Sequence, residues 1–114
     1  TALRGDQGRT AIDLINRAID INGPLPDFLD TRGVAYLVGG ENLLAIQDLE
    51  KAVAADSSSP SKLVHLAQAY FKAGDKERAR QNLEKAKIKG LELKSLHPLE
   101  VKAYKQLVAD LGKS

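Results

Sequence analysis

The sequence predicts an all-α stack of antiparallel helix hairpins closed by a C-terminal capping helix. Three observations carry that prediction: a 34-residue internal period, apolar residues at helical steps within each period, and proline or glycine at the joints. Ala11, Ala45 and Ala79 are spaced by 34 residues twice over, as are Ala18, Ala52 and Ala86 and the apolar set Ile15, Leu49 and Leu83. Gly40 pairs with Gly74, Tyr36 with Tyr70, Leu29 with Leu63, and Pro26 with Pro60. Residues 26–59 laid over 60–93 without a gap give 11 identities in 34, concentrated on small and apolar positions. A fixed period of this length marks units that bury their apolar faces on their neighbours.

The elements follow in chain order, with repeats over residues 1–93 and a linker and cap over 94–114. Residues 6–25 read as the second half of one unit, a helix from about Gln7 to Asn22 carrying Ala11, Ile15 and Ala18. By the repeat phase, the first helix of that unit falls before Thr1. The chain opens Thr1-Ala2-Leu3-Arg4-Gly5 with no methionine, signal core or cleavage pattern, and so reads as a fragment of a longer protein. Its N-terminal end is expected to expose apolar surface, which offers a face for self-association.

The unit 26–59 opens on Pro26, which suits a first helical position because the missing N–H has no partner to lose there. Leu29, Arg32, Gly33, Tyr36 and Leu37 then recur at three- and four-residue steps, a helical stripe. Gly39-Gly40 ends that helix, and a second follows with Ala45, Leu49, Ala52 and Val53 on one face. The unit 60–93 repeats the plan: Ser59 as N-cap, Pro60, a stop at Ala73-Gly74, then Ala79, Leu83 and Ala86 up to Gly90. So short a turn makes the two helices antiparallel neighbours. Gly33 or Ala67 opposite Ala45 or Ala79 lets the backbones approach closely, and Tyr36 and Tyr70 fill the space alongside as core residues.

After Gly90 comes an irregular stretch, residues 91–97, in which Leu93 or Leu96 docks on the last repeat. Pro98 then starts the cap. Leu99, Ala103, Tyr104, Leu107, Val108 and Leu111 form the face expected to meet the repeats. Glu100, Lys102, Lys105, Gln106 and Asp110 form the face expected to meet water, and Gly112 ends the helix.

These residues resemble the tetratricopeptide repeat, whose 34-residue unit carries a W-x2-L-G-x2-Y…A-x3-F…P pattern. Here Leu29 and Leu63 stand at the tryptophan position, Arg32 and Leu66 at the leucine, Gly33 and Ala67 at the glycine, and Tyr36 and Tyr70 at the tyrosine. The alanine is kept in all three units, and Ile15, Leu49 and Leu83 occupy the phenylalanine position. Gly23, Ser57 and Leu91 replace the final proline. The resemblance covers about residues 6–93 and implies a right-handed superhelical stack.

Composition narrows the function. The chain has 114 residues and a formal net charge of +2, with 43% hydrophobic and 4% aromatic residues. No cysteine is present, which removes disulfides, thiolate metal sites and cysteine nucleophiles. That leaves the compartment open, with the cytoplasm slightly favoured, and no apolar run long enough for a membrane span occurs. No zinc spacing, HExxH or glycine-rich phosphate loop is present, so no metal, cofactor or enzymatic activity is expected. His65 reads as a polar surface residue and His97 as a flank of the cap helix. Asp27/Asp30 and Glu41/Asp48 read as helix-surface or helix-start acids that complement the helix dipole.

The small net charge hides an asymmetry, −4 over residues 1–59 against +6 over residues 60–114. Lys76, Arg80 and Lys87 lie on the basic second helix of the last unit, read as a solvated convex face. An acidic protein is its sharper alternative partner, and the low aromatic content argues against nucleic acid.

The resemblance implies that first helices line a concave groove for a peptide or protein. The groove positions are then Asp30, Thr31, Val34, Leu37 and Val38 from one unit, and Val64, His65, Gln68, Phe71 and Lys72 from the next. The family's best-defined subtype clamps a chaperone C-terminal carboxylate with Lys and Asn. Asp30 and Val64 hold the lysine position here, and Val34 and Gln68 the asparagine position, so no carboxylate clamp is expected. The apolar groove residues Val34, Leu37 and Phe71 suit either an amphipathic guest or simple packing between helices. A protein-interaction module is therefore expected, with a structural solenoid segment that packs within its parent chain or self-associates as the alternative.

Overall fold

A computed structural model of the chain describes residues 2–90, 96 and 98–112, with side chains from Thr10 onward. Six helices follow one another: α1 (Ala2–Asn22), α2 (Pro26–Val38), α3 (Asn42–Ala55), α4 (Pro60–Lys72), α5 (Lys76–Ile88) and α6 (Pro98–Gly112). No strand occurs among the described residues. The starts of α2 and α4, and of α3 and α5, are each 34 residues apart, as the sequence period requires. α1 begins at Ala2 rather than near Gln7, so it runs to 21 residues. Most of the linker, with Leu93 and His97, lies outside the described residues. Leu96 is half-buried.

The turns explain why the hairpins are so regular. Gly40 and Gly74 adopt φ of +82° and +91°, the left-handed region in which a Cβ is strained. The backbone N–H of Glu41 reaches the Tyr36 carbonyl at 2.9 Å, and that of Asp75 reaches the Tyr70 carbonyl at 2.9 Å. Each bond spans the turn and satisfies a carbonyl of the last helical turn. Gly39 and Ala73 remain right-handed, so one glycine per turn carries the reversal. Ser59 caps α4 as expected, accepting from the Lys62 N–H at 3.3 Å, and Asp75 caps α5, accepting from the Arg78 N–H at 3.0 Å.

The core runs along the hairpin seams. Ala45, Leu49, Ala52, Leu63, Leu66, Ala67, Ala79 and Ala86 are buried, and Leu83, Leu107 and Leu111 join the same cluster. Tyr70 is buried and Tyr36 packs against the cluster, as core residues should. At Gly33 the approach is closest: a Cβ there would lie 2.6 Å from Leu49 Cγ. Position 67, one period on, holds alanine.

One polar feature departs from the sequence reading. Asp48 does not sit at a helix surface or start; it is 4% exposed in the middle of α3. Arg32 grips it with Nε to Oδ2 at 2.7 Å and Nη2 to Oδ1 at 2.8 Å, while Nη1 donates to Asn16 Oδ1 at 2.9 Å. The bond to Asp48 is the main reason the guanidinium is held above its ordinary pKa. In the second unit the equivalent residues are Leu66 and Asn82. An asparagine there needs no counter-charge, because its amide donates to the Arg78 carbonyl of its own helix at 2.8 Å. The two units therefore carry two self-consistent pairs, Arg32 with Asp48 and Leu66 with Asn82.

Replacing Arg32 alone strands a buried carboxylate, so Arg32→Leu is expected to cost about 3 kcal/mol in urea unfolding. The double substitution Arg32→Leu with Asp48→Asn recreates the second unit's pair and should recover most of that loss. A double variant no more stable than the single one would refute the pairing account. At the tight crossing, Gly33→Ala should cost about 1–2 kcal/mol through overpacking against Leu49.

Candidate functional site

The first helix of each unit is placed on the same side of the stack, so α2 and α4 lie side by side on the inner face. α6 takes the next position beside α4. Arg80 of α5 helps hold it there, its Nη2 donating to the Leu111 carbonyl at 2.8 Å. Between α2, α4 and α6 opens a groove of about 510 Å3. That volume lies within the range of ligand-binding clefts.

Eight of the ten groove residues expected from the sequence line it: Val34, Leu37, Val38, Val64, His65, Gln68, Phe71 and Lys72. Asp30 stands just behind the lining, bonded to His65. Leu37 and Val64 are buried and form floor, whereas Val38 is 82% exposed and forms a free apolar edge. Thr31 turns away, its hydroxyl donating to the Asp27 carbonyl at 2.9 Å.

The opposite wall comes from α6. Leu99, Glu100, Ala103, Gln106, Leu107 and Asp110 face the cleft, with Leu99 73% exposed. The polar side of α6 is therefore not all turned to water: Glu100, Gln106 and Asp110 belong to the groove. Sequence spacing had placed Leu99, Ala103 and Leu107 on one stripe, but nothing in it showed that α6 would extend the concave face. Of the basic-face residues, Lys76 and Lys87 are exposed on α5, while the Arg80 guanidinium is engaged on α6.

His65 is the chemical centre of the groove's N-terminal end and not a surface residue. Its side chain is 13% exposed, with Nδ1 2.9 Å from Asp30 Oδ1 and Nε2 3.5 Å from Glu100 Oε1. Ser61 Oγ also donates to Glu100, at 3.4 Å. One imidazole thus spans α2, α4 and α6. Burial works to lower its pKa, but the bond to Asp30, the Asp30 charge and the nearby Glu100 outweigh it, and the net shift is upward. A turn earlier, Lys62 Nζ bonds Asp27 at 2.6 Å and Asp56 at 3.3 Å, tying α4 to α2 and to the end of α3. Tyr70 donates from its hydroxyl to Glu50, and the Asn42 amide donates to the Lys72 carbonyl at 3.2 Å. Both are further ties between units.

With its 34-residue hairpins and an inner face built by first helices, the molecule is an α-solenoid of the tetratricopeptide type. Among solved structures it is similar to the TPR domain of Arabidopsis OM64, with a TM-score of 0.76, 21% sequence identity, and coverage of 98% of this chain and 86% of that one. No protein-family model matches the chain, and no curated protein sequence does. The likeness establishes the fold. Among the described residues, no helix is long and apolar enough to cross a membrane.

The raised His65 pKa has a testable consequence for stability. A histidine whose folded pKa exceeds its unfolded value of about 6.5 stabilises the fold fully below that value, and the contribution fades as pH rises through the folded pKa. Thermal melts of the wild type should therefore fall relative to His65→Gln between pH 5.5 and 8.5. The imidazole should titrate above 6.5 by NMR; a midpoint at or below that value would contradict the three-helix bridge.

Proposed function

We propose that the protein is a non-catalytic interaction module that binds a peptide or protein segment in the groove between α2, α4 and α6. The observation that carries this reading is the convergence of apolar side chains from three separate helices on one open cleft, with the edges Val38 and Leu99 left in water. Side chains needed only for packing between helices are buried, as Leu37 and Val64 are. An exposed valine and an exposed leucine on the rim of one cleft gain nothing until something covers them. On this reading Leu37 serves both the packing and the floor, and the rim serves the guest.

A chaperone-type carboxylate is disfavoured as the guest. Asp30 stands where a clamp would need lysine, and a carboxylate there repels another. A second reading, a solenoid segment that packs within a parent chain or self-associates, draws support from α1. Leu14 and Ile21 are 60% and 80% exposed there, two turns apart on one side of the helix.

Because Val38 and Leu99 are exposed, they can be changed without disturbing the core. Selection of a displayed random 12-residue peptide library on the wild-type domain should enrich binders. Val38→Asp and Leu99→Asp should each weaken those binders at least tenfold while leaving the melting temperature unchanged. Binders indifferent to both substitutions, or none at all, would sink the groove reading. Leu14→Glu with Ile21→Glu tests the second reading by sedimentation, since it should remove any self-association at unchanged helicity.

A further inference from the structure

The groove is electrically lopsided, and the lopsidedness specifies its guest beyond being apolar. α2, α4 and α6 run parallel, so their N-terminal turns meet at one end of the cleft. There Asp30 and Glu100 flank His65, and Asp27 and Asp56 flank Lys62. Of these, His65 and Glu100 line the cleft with Asp30 behind them, two carboxylates against one imidazole, so this end is negative whether or not His65 carries a proton. The Glu100 side chain remains 32% exposed, and its contact with His65 is the longer of the two. It therefore keeps accepting capacity towards the cleft. At the other end Lys72 and Asp110 bring opposite charges to the lining, and Asp110 accepts from Gln106 at 2.9 Å. The cleft between the two ends is floored by Val34, Leu37, Phe71 and Leu107.

We propose, resting on the groove reading above, that the guest is an apolar protein segment bearing a lysine or arginine that seats against Glu100, with the Asp30 charge behind it. Its aliphatic or aromatic side chains cover Leu99 beside that end and lie along the floor towards Val38 at the other. The cation is the feature that fixes direction, since the apolar floor alone accepts a segment either way round. A buried or half-buried carboxylate facing a guest also penalises the wrong partner: an acidic segment would bring a third negative charge beside Glu100, where nearby low-dielectric walls weaken screening.

The test uses synthetic 14-residue peptides with leucine or phenylalanine at positions i, i+3, i+4 and i+7. Each is made with Lys, Gln or Glu placed one turn before the apolar block, and again with the same residue one turn after it. Affinities are read by fluorescence polarisation at pH 7.5 and low salt. In one of the two placements, the Lys peptide should bind at least fivefold more tightly than its Glu twin. That preference should shrink to less than twofold in Glu100→Gln, and likewise in Asp30→Asn, each checked for an unchanged circular dichroism spectrum. It should also fall in 0.5 M salt, beyond which exposed charges are largely screened. Equal affinity for Lys and Glu peptides in both placements overturns this inference and leaves the groove reading standing. Absence of binding by every peptide overturns both.

Discussion

The close approach of the two helices within each hairpin is the constraint on which the rest of the structure depends. Gly33 lies against Leu49 and the Ala45 backbone in one unit, and the buried Ala67 and Ala79 hold the equivalent positions in the next, so each first helix brings almost no side chain to the crossing. Helices set that near one another fix the direction of each turn, and a left-handed glycine five residues ahead of each second helix's first buried alanine completes the reversal. Once both hairpins are alike, their first helices must lie on one side and their second helices on the other. The inner face is then a consequence of small residues that never touch it. The scarcity of aromatic residues has the same origin, because a stack spaced by alanine and glycine has few sites large enough for them.

Apolar burial alone would let such units slide along one another, since alanine ridges are smooth and nearly equivalent from turn to turn. Directional bonds remove that freedom. Within the first unit Arg32 pins α2 to α3 through Asp48 and to α1 through Asn16. Between units, Lys62 with Asp27 and Asp56, Tyr70 with Glu50, and Asn42 with the Lys72 carbonyl fix the register of the second hairpin on the first. A hydrogen bond of this kind adds only about 1 kcal/mol net to stability. Its larger effect is to make every other register worse, because a shifted register leaves Asp48, Lys62 and the Tyr70 hydroxyl buried without partners.

The repeat made most of the fold readable from sequence. Helix starts follow from Pro26, Pro60 and Pro98, helix stops from Gly40, Gly74 and Gly90, and the core from the alanines at 34-residue spacing. The groove positions on α2 and α4 came instead from the family resemblance, which implies that first helices line the concave face. What periodicity hides is any pairing between residues that share no repeat phase. Arg32 and Asp48 are 16 positions apart, and His65 and Asp30 are 35 apart, so neither pair falls on a helical step or on the period. Read one residue at a time, Asp48 looked like a helix-surface acid and His65 like a lone surface histidine. α6 was obscured for a related reason: it starts 38 residues after α4, and the four extra positions take it out of phase with the repeat that would have placed it in the groove.

The same charges that hold the three inner helices in line also give the groove its polarity. Negative side chains are favoured in the first turn of a helix, where they complement the dipole. α2 obeys with Asp27 and α6 with Glu100, but α4, between them, has no acid in its first turn and carries Lys62 and His65 near its start instead. The result is an acid–base–acid sequence across three parallel helices, which draws the outer two onto the middle one. Such an arrangement is negative at that end, because Asp27, Asp30 and Glu100 on the flanks outnumber Lys62 and His65 at the centre. Straightening the array and charging the cleft are therefore one structural event. The polarity that would orient a guest is built from the residues that position the helices, and a variant that altered one without the other would have to break this alternation.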